Sequence, residues 1–192
     1  MPGRLRSSDT NVATHKIKIG YKDMTRTACI FPGQGSQSVG MLKELAESYQ
    51  EITDTFAQAS DVLGYDLWDV VQNDQSGKLN ETQVTQPALL TASVAIWRVL
   101  QAKGLNVDYM AGHSLGEYSA LVCAGAMAFT DAVKLVESRG EFMQQAVPAG
   151  AGAMFAIIGL DDDAIAQACE QTAIATGEVV SPVNFRTREK NF

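Results

Sequence analysis

The segment Gly112-His113-Ser114-Leu115-Gly116 frames a serine as an exposed nucleophile requires. Glycines two places to either side let a strand-to-helix turn close tightly and push the hydroxyl clear of the backbone. VDYMAGH before the serine reads as a strand, and the segment after it reads as a helix ended by Gly125. Gly116, Ser119, Ala120 and Ala124 keep that helix thin enough to lie close on a sheet. Ser114 then sits at a helix N-terminus, where free N–H groups and the helix dipole favour negative charge. The N–H of Leu115 would face an oxyanion forming on the substrate. The chemistry is acyl transfer or ester hydrolysis, although five such residues also suit an ordinary tight βα turn.

Two further features bear on the choice. IFPGQGSQ follows the first predicted strand and sets the backbone of Gln34 at the C-terminal edge of the same sheet, where its N–H can act as a second oxyanion donor. A dinucleotide turn needs a third glycine where Ser38 stands, and no P-loop lysine follows. The second feature is Arg139. At about 100° per residue, Ala132, Val136, Arg139, Met143 and Ala146 fall on one stripe, while Lys134, Glu137, Glu141 and Gln145 lie opposite. An arginine pointing where apolar residues point must have a partner. That partner is either an internal Asp or Glu, or a substrate carboxylate gripped by two parallel hydrogen bonds. Arg98 lies on the less apolar side of its helix and is the weaker candidate.

A serine nucleophile needs a base, and the sequence holds two histidines, His15 and His113. Adjacent side chains in an elbow diverge, so His113 is not placed to take the proton of Ser114. Asp161, Asp162 and Asp163 are consecutive and precede a helix; they read as its N-terminal cap and not as metal ligands, which should converge from separated positions. Cys29, Cys123 and Cys169 are odd in number and set in apolar surroundings, which argues for reduced thiols rather than a disulfide frame or a zinc site.

The 192 residues suffice for one domain, or a domain and part of another. The net charge of −7 is unevenly spread. Residues 1–26 carry six Lys or Arg against two Asp, whereas residues 27–185 carry six basic residues against nineteen acids. No basic footprint for nucleic acid appears there, and no apolar run is long enough to span a membrane. Residues 1–23 read as an extension before Met24, the alternative being an organelle presequence, against which their two Asp count.

The elements that must position the site alternate between strand and helix. TRTACIF is a predicted strand, followed by helices from about Met41, over 49–60 and in GYDLWDVVQ, with DQSGKLN as a loop. Pro87 suits a first helical position, opening a helix that runs to Gly104 and is apolar round most of its circumference, hence central. Thr130 caps a helix reaching about Ala146, stopped by Pro148 and Gly150. GAMFAIIGL, DDDAIAQACEQTA and VVSPVNF then read strand, helix, strand. The pattern is an α/β sheet with helices on both faces.

Taken in order, FPGQGSQSVGM, QPALLTASVAIW, AGHSLGEYSALVCAGA, AVKLVESRGEFMQQAVPAG and AMFAIIGLDD resemble the malonyl-CoA:acyl-carrier-protein transacylase family of bacterial fatty-acid synthesis, over about Met24 to Phe185. The resemblance implies an α/β acyltransferase fold: a parallel-sheet, α/β-hydrolase-like subdomain over 24–149 with an inserted ferredoxin-like subdomain beginning over 150–185, both incomplete. It implies Ser114 as the nucleophile that carries malonyl from malonyl-CoA to the phosphopantetheine thiol of acyl carrier protein. Gln34 and Leu115 match the oxyanion-hole residues, Arg139 the arginine that pairs with the malonyl carboxylate, and His113 a histidine beside the nucleophile that is not the base. No cofactor or metal is implied, and the setting is a bacterial-type cytoplasm. The family's base is a histidine downstream of the ferredoxin-like part, and the tail RTREKNF, 186–192, bears no likeness to the family. The expectation is a truncated chain of weak or no activity. An α/β-hydrolase-type thioesterase, a polyketide-synthase acyltransferase domain and a non-catalytic carrier- or partner-binding fragment are the rival readings.

Overall fold

The structure, a computed structural model, describes residues 26–146, 151–155 and 157–184. The predicted extension 1–23, the helix stops at Pro148 and Gly150, and the tail 186–192 lie outside the described residues. Those described form two compact units, divided between Ala149 and Gly150.

In the first unit, β1 (Ala28–Phe31) and β2 (Tyr109–Gly112) pair in parallel, with Cys29 opposite Met110 and Phe31 opposite Gly112. Both strands are shorter than the sequence reading made them. Phe31 is buried on the side that carries α5 (Leu115–Cys123), whereas Ile30 and Tyr109 on the other side are exposed. Helical cover is thus seen on one face among the described residues, not on the two expected. Gly116, Ser119 and Ala120 make the buried side of α5; Ala124, expected to share that role, is exposed at its C-cap.

Between the strands run α1 (Lys43–Ala46), α2 (Gln50–Leu63), α3 (Leu67–Asn73) and α4 (Thr82–Ala102). DQSGKLN is not wholly loop, since Lys78–Asn80 forms a 3₁₀ turn. The central helix α4 buries thirteen of its 21 residues, packing on α2, α5 and α6 (Phe129–Ala146). It begins at Thr82, five residues before the Pro87 start read from the sequence. Proline inside a helix removes the hydrogen bond to the carbonyl four residues back, here that of Gln83. The preceding turn is held by Thr85, whose buried hydroxyl donates to the carbonyls of Leu79 at 2.5 Å and Glu81 at 3.0 Å. Tertiary contact therefore overrides the preference of proline for a first helical position. Similarly, Phe129 already belongs to α6, so Thr130 lies inside the helix and does not cap it.

In the second unit the described residues form one helix, α7 (Asp162–Thr176), with Asp161 at the N-cap position, Asp162 and Asp163 in the first turn, and Gly177 at φ 72° past its end. The strands expected from GAMFAIIGL and VVSPVNF are not formed among the described residues. A strand exists only where its N–H and C=O groups find a neighbour, and none pairs with these segments here. Among the described residues no helix is long and apolar enough to cross a membrane.

Candidate active site

Because β1 and β2 are parallel and in register at Phe31 and Gly112, the loops leaving the two strands emerge at the same sheet edge. After β2 comes the serine turn. Ser114 holds φ 54° and ψ −109°, a conformation that costs a non-glycine residue about 1–3 kcal/mol and persists only where its surroundings enforce it. Those surroundings are visible. A Cβ on Gly112 would stand 1.9 Å from the carbonyl carbon of Gly116, and one on Gly116 would stand 2.2 Å from the carbonyl oxygen of Phe31. The two glycines of the motif are thus required by backbone-to-backbone contact, and Ser114 is left exposed. This geometry favours the nucleophile elbow over an ordinary turn. Leu115 is the first residue of α5, so its N–H lacks an intrahelical acceptor.

After β1 comes Gly33-Gln34-Gly35-Ser36. Ser36 Oγ donates to the Gly33 carbonyl at 2.8 Å, and Gly35 N–H donates to Gln37 Oε1 at 2.9 Å. The loop is tied to the start of α4 and to the 3₁₀ turn before it: Gln34 Nε2 donates to Thr82 Oγ1 at 3.3 Å and Gln37 Nε2 to Asn80 Oδ1 at 3.0 Å. Gly33 lies against the elbow itself, since a Cβ there would meet the His113 carbonyl oxygen at 2.9 Å and His113 Nδ1 at 3.2 Å. His113 therefore turns its ring toward the Gln34 loop, and among the described residues no hydrogen bond joins that ring to Ser114.

Arg139 enters from α6. Its Nη2 donates to Ser114 Oγ at 3.0 Å and its Nη1 to Gln86 Oε1 at 2.7 Å, with the Tyr118 ring centroid 5.6 Å from its Cζ. Neither partner is a carboxylate, so the internal Asp or Glu weighed from the sequence is replaced by a neutral amide and the candidate nucleophile. The stripe that suggested Arg139 is buried at Ala132 and Val136, but Met143 and Ala146, toward the C-terminal end of α6, are exposed. Arg98 is elsewhere: its Nη1 donates to Thr55 Oγ1 and Gln58 Oε1, both at 2.9 Å, and its guanidinium lies 5.0 Å from the Phe129 ring centroid. Burial, above all, lowers its pKa. It ties α4 to α2.

Gln86, fully buried, escaped the sequence reading. The signal was an amide inside an otherwise apolar segment, but a helix started at Pro87 leaves Gln86 just outside. Cys123, at the far end of α5, has its thiol pushed up to about 12 by burial and by the nearby Cys29, which makes it a packing residue and not a second nucleophile.

A strained serine at a parallel-sheet edge, the Leu115 N–H at a helix start and an arginine on the serine hydroxyl are the arrangement that acyl transfer to a serine requires. The comparisons agree: the model of the acyl transferase domain matches residues 28–185, and the chain belongs to that family. It is 63% identical over 165 residues to the malonyl CoA-acyl carrier protein transacylase of Salmonella typhimurium, covering 85% of this chain and 53% of that protein. It is 45% identical over 162 residues to the enzyme of that name from Staphylococcus aureus, covering 84% and 52%. Among solved structures, an acyl carrier protein S-malonyltransferase from Vibrio cholerae superposes with a TM-score of 0.77 at 66% identity, over 82% of this chain and 51% of that one. A malonyl-transacylase in complex with a type II polyketide acyl-carrier protein gives 0.79 at 60% identity, over 82% and 51%. The fold is thus the α/β acyltransferase fold, and the chain spans about half the length of the curated relatives it matches.

Proposed function

We propose that this chain carries the acyl-accepting centre of a malonyl transfer: Ser114 takes malonyl from malonyl-CoA as a serine ester, which the phosphopantetheine thiol of an acyl carrier protein then removes. The observation that carries this reading is Arg139 Nη2 at 3.0 Å from Ser114 Oγ, with no carboxylate paired to the guanidinium among the described residues. In a malonyl group the attacked carbonyl carbon and the free carboxylate are separated by a single methylene, two C–C bonds of about 1.5 Å each. A cation that grips the carboxylate must therefore stand beside the nucleophile, which is where Arg139 is. The contact with Ser114 is the resting arrangement that the substrate carboxylate replaces, gaining a paired N–H donor surface.

In this reading Leu115 N–H and the backbone N–H of Gln34 receive the oxyanion, and His113 supports the Gln34 loop without acting as base. Residues 24–149 correspond to the catalytic subdomain and those from 150 to the start of a ferredoxin-like one. The histidines of the sequence are His15 and His113. With His113 turned to Gly33, nothing among the described residues is placed to accept the serine proton, so acylation by this chain is slow. An intact oxyanion site sustains residual rates even where a triad member is absent.

The test is the intact mass of the purified chain after incubation with malonyl-CoA or acetyl-CoA. The expected result is a malonyl adduct that disappears in Ser114→Ala, with little acetyl adduct; Arg139→Ala should level the two. Equal yields from both donors in the unmodified chain would point to a thioesterase-like site instead. A folded chain with no adduct from either would leave a carrier- or partner-binding fragment as the better reading.

A further inference from the structure

Gln86 is held at both ends of its amide. Oε1 accepts from Arg139 Nη1 at 2.7 Å, and Nε2 donates to Met143 Sδ at 3.2 Å. A guanidinium can only donate and a thioether can only accept, so the two partners together fix which way the amide faces. They lie four residues apart on α6, hence on the same side of that helix, and Gln86 reaches both from α4. It can do so because α4 and α6 touch at Gly140, where a Cβ would stand 2.5 Å from Gln83 Cα. A continuous line of contacts therefore runs from Met143 through Gln86 and Arg139 to Ser114 Oγ.

We infer that Met143 is a positioning residue for acyl selection: its sulfur holds the Gln86 amide so that Gln86 in turn aims Arg139 at the place of the substrate carboxylate. This rests on the reading of Arg139 as the carboxylate clamp. Met143 is 48% exposed on the same open face of α6 as Phe142, and packing alone gives it little to do there. Gln86, by contrast, is fully buried, so loss of the sulfur leaves an amide N–H₂ without a partner in a site that water does not reach. The amide then turns or shifts toward solvent to find one, and the oxygen that steadies Arg139 moves with it. The backbone turn that presents Ser114 is fixed separately by Gly112 and Gly116, so the main consequence falls on recognition of the carboxylate.

The test uses the whole chain with malonate and acetate as probes, their dissociation constants read from the guanidinium resonances of Arg139, identified by their loss in Arg139→Ala. Met143→Leu keeps the bulk and removes the acceptor; Met143→Gln supplies a carbonyl oxygen in nearly the same place. The preference for malonate should fall about threefold in Met143→Leu, the size of effect of one modest hydrogen bond. It should return in Met143→Gln, with melting temperatures close to that of the unmodified chain for both. An unchanged preference in Met143→Leu, or an equal loss in Met143→Gln, would overturn the role of the sulfur while leaving Arg139 in place. If the unmodified chain fails to prefer malonate, the clamp reading falls and this inference with it.

Discussion

Helices α4 and α7 are built from similar local signals and reach opposite ends. Both are rich in small and aliphatic residues, yet α4 buries thirteen of 21 residues and α7 buries none of 15. The acidic first turn of α7 and the left-handed glycine beyond its end are sufficient signals for a helix to start and stop. They do not give it anything to pack on: Ile174 is 78% exposed, and Ile165, Cys169 and Ala173 form a half-buried stripe at a spacing of four. In α4 the reverse holds, since an interior proline and an unfavourable start are tolerated because three helices enclose it. A helix can thus be specified locally, whereas a core is specified only by what faces it. The same contrast applies to chemistry, because every residue proposed for the site belongs to the unit that has a core.

The sharpest way to break this contrast is to cut equivalent apolar mass from each unit. Phe56 is fully buried and meets Trp68 edge-on at 4.9 Å between centroids. Phe56→Ala should lower stability by about 3–5 kcal/mol, a large share of what a domain of this size holds. Ile174→Ala should change it by less than about 0.5 kcal/mol, as for a surface residue. Urea unfolding followed by far-ultraviolet circular dichroism, which reports the helices of both units, measures both. A comparable loss in Ile174→Ala would show that α7 has a partner in solution.

Much of the site was legible because it is written in local geometry. The spacing of Gly112, Ser114 and Gly116 carries its own reason, the contact of Gly116 with Phe31 and Gly112, and the helical period puts Arg139 on the side of α6 from which it reaches Ser114. Other features depend on residues far apart in the chain and left weaker traces. Gln86 was missed because the start of α4 is decided by Thr85 and the 3₁₀ turn, which no rule about proline contains. The internal carboxylate offered as a partner for Arg139 was wrong in detail, since a neutral amide satisfies the guanidinium while leaving its charge available to a ligand. Composition alone makes the apolar run GAMFAIIGL a strand, but strand formation needs an edge to pair with, and periodicity does not supply one.

Core and site are joined at Gly140, where α6 meets α4. Gly140→Ala puts a methyl group 2.5 Å from Gln83 Cα and 2.7 Å from the Thr82 carbonyl oxygen, both backbone atoms that cannot swing aside. Forcing α6 away from α4 should cost about 1–3 kcal/mol, the usual range for overpacking. It should also lengthen the reach from Gln86 to Arg139, so that malonate preference falls along with the melting temperature. A surface glycine in the helix interior would respond oppositely, gaining stability on conversion to alanine.

The smallest effect concerns Glu137, on the opposite side of α6 from Arg139. Burial raises its pKa above the ordinary glutamate value, and Glu141, one turn on, raises it further. Its charge also reaches Tyr65, whose phenol is pushed up to about 12, mainly by burial. A raised acid binds its proton more tightly in the folded chain than in the unfolded one. Between the unfolded and the raised folded pKa the native state therefore holds more protons, and stability falls as pH rises through that window. Below it Glu137 is neutral in both states and adds nothing; above it the cost is complete and constant. Glu137→Gln should flatten this part of the melting-temperature profile between mildly acidic and neutral pH, with a gain of no more than a degree or two at pH 7, because the side chain is largely solvated. Site selectivity should not change, because Arg139 and its partners lie on the other side of α6. A matching shift in malonate preference would show that α6 transmits charge from one face to the other, and that the two faces are less independent than their packing implies.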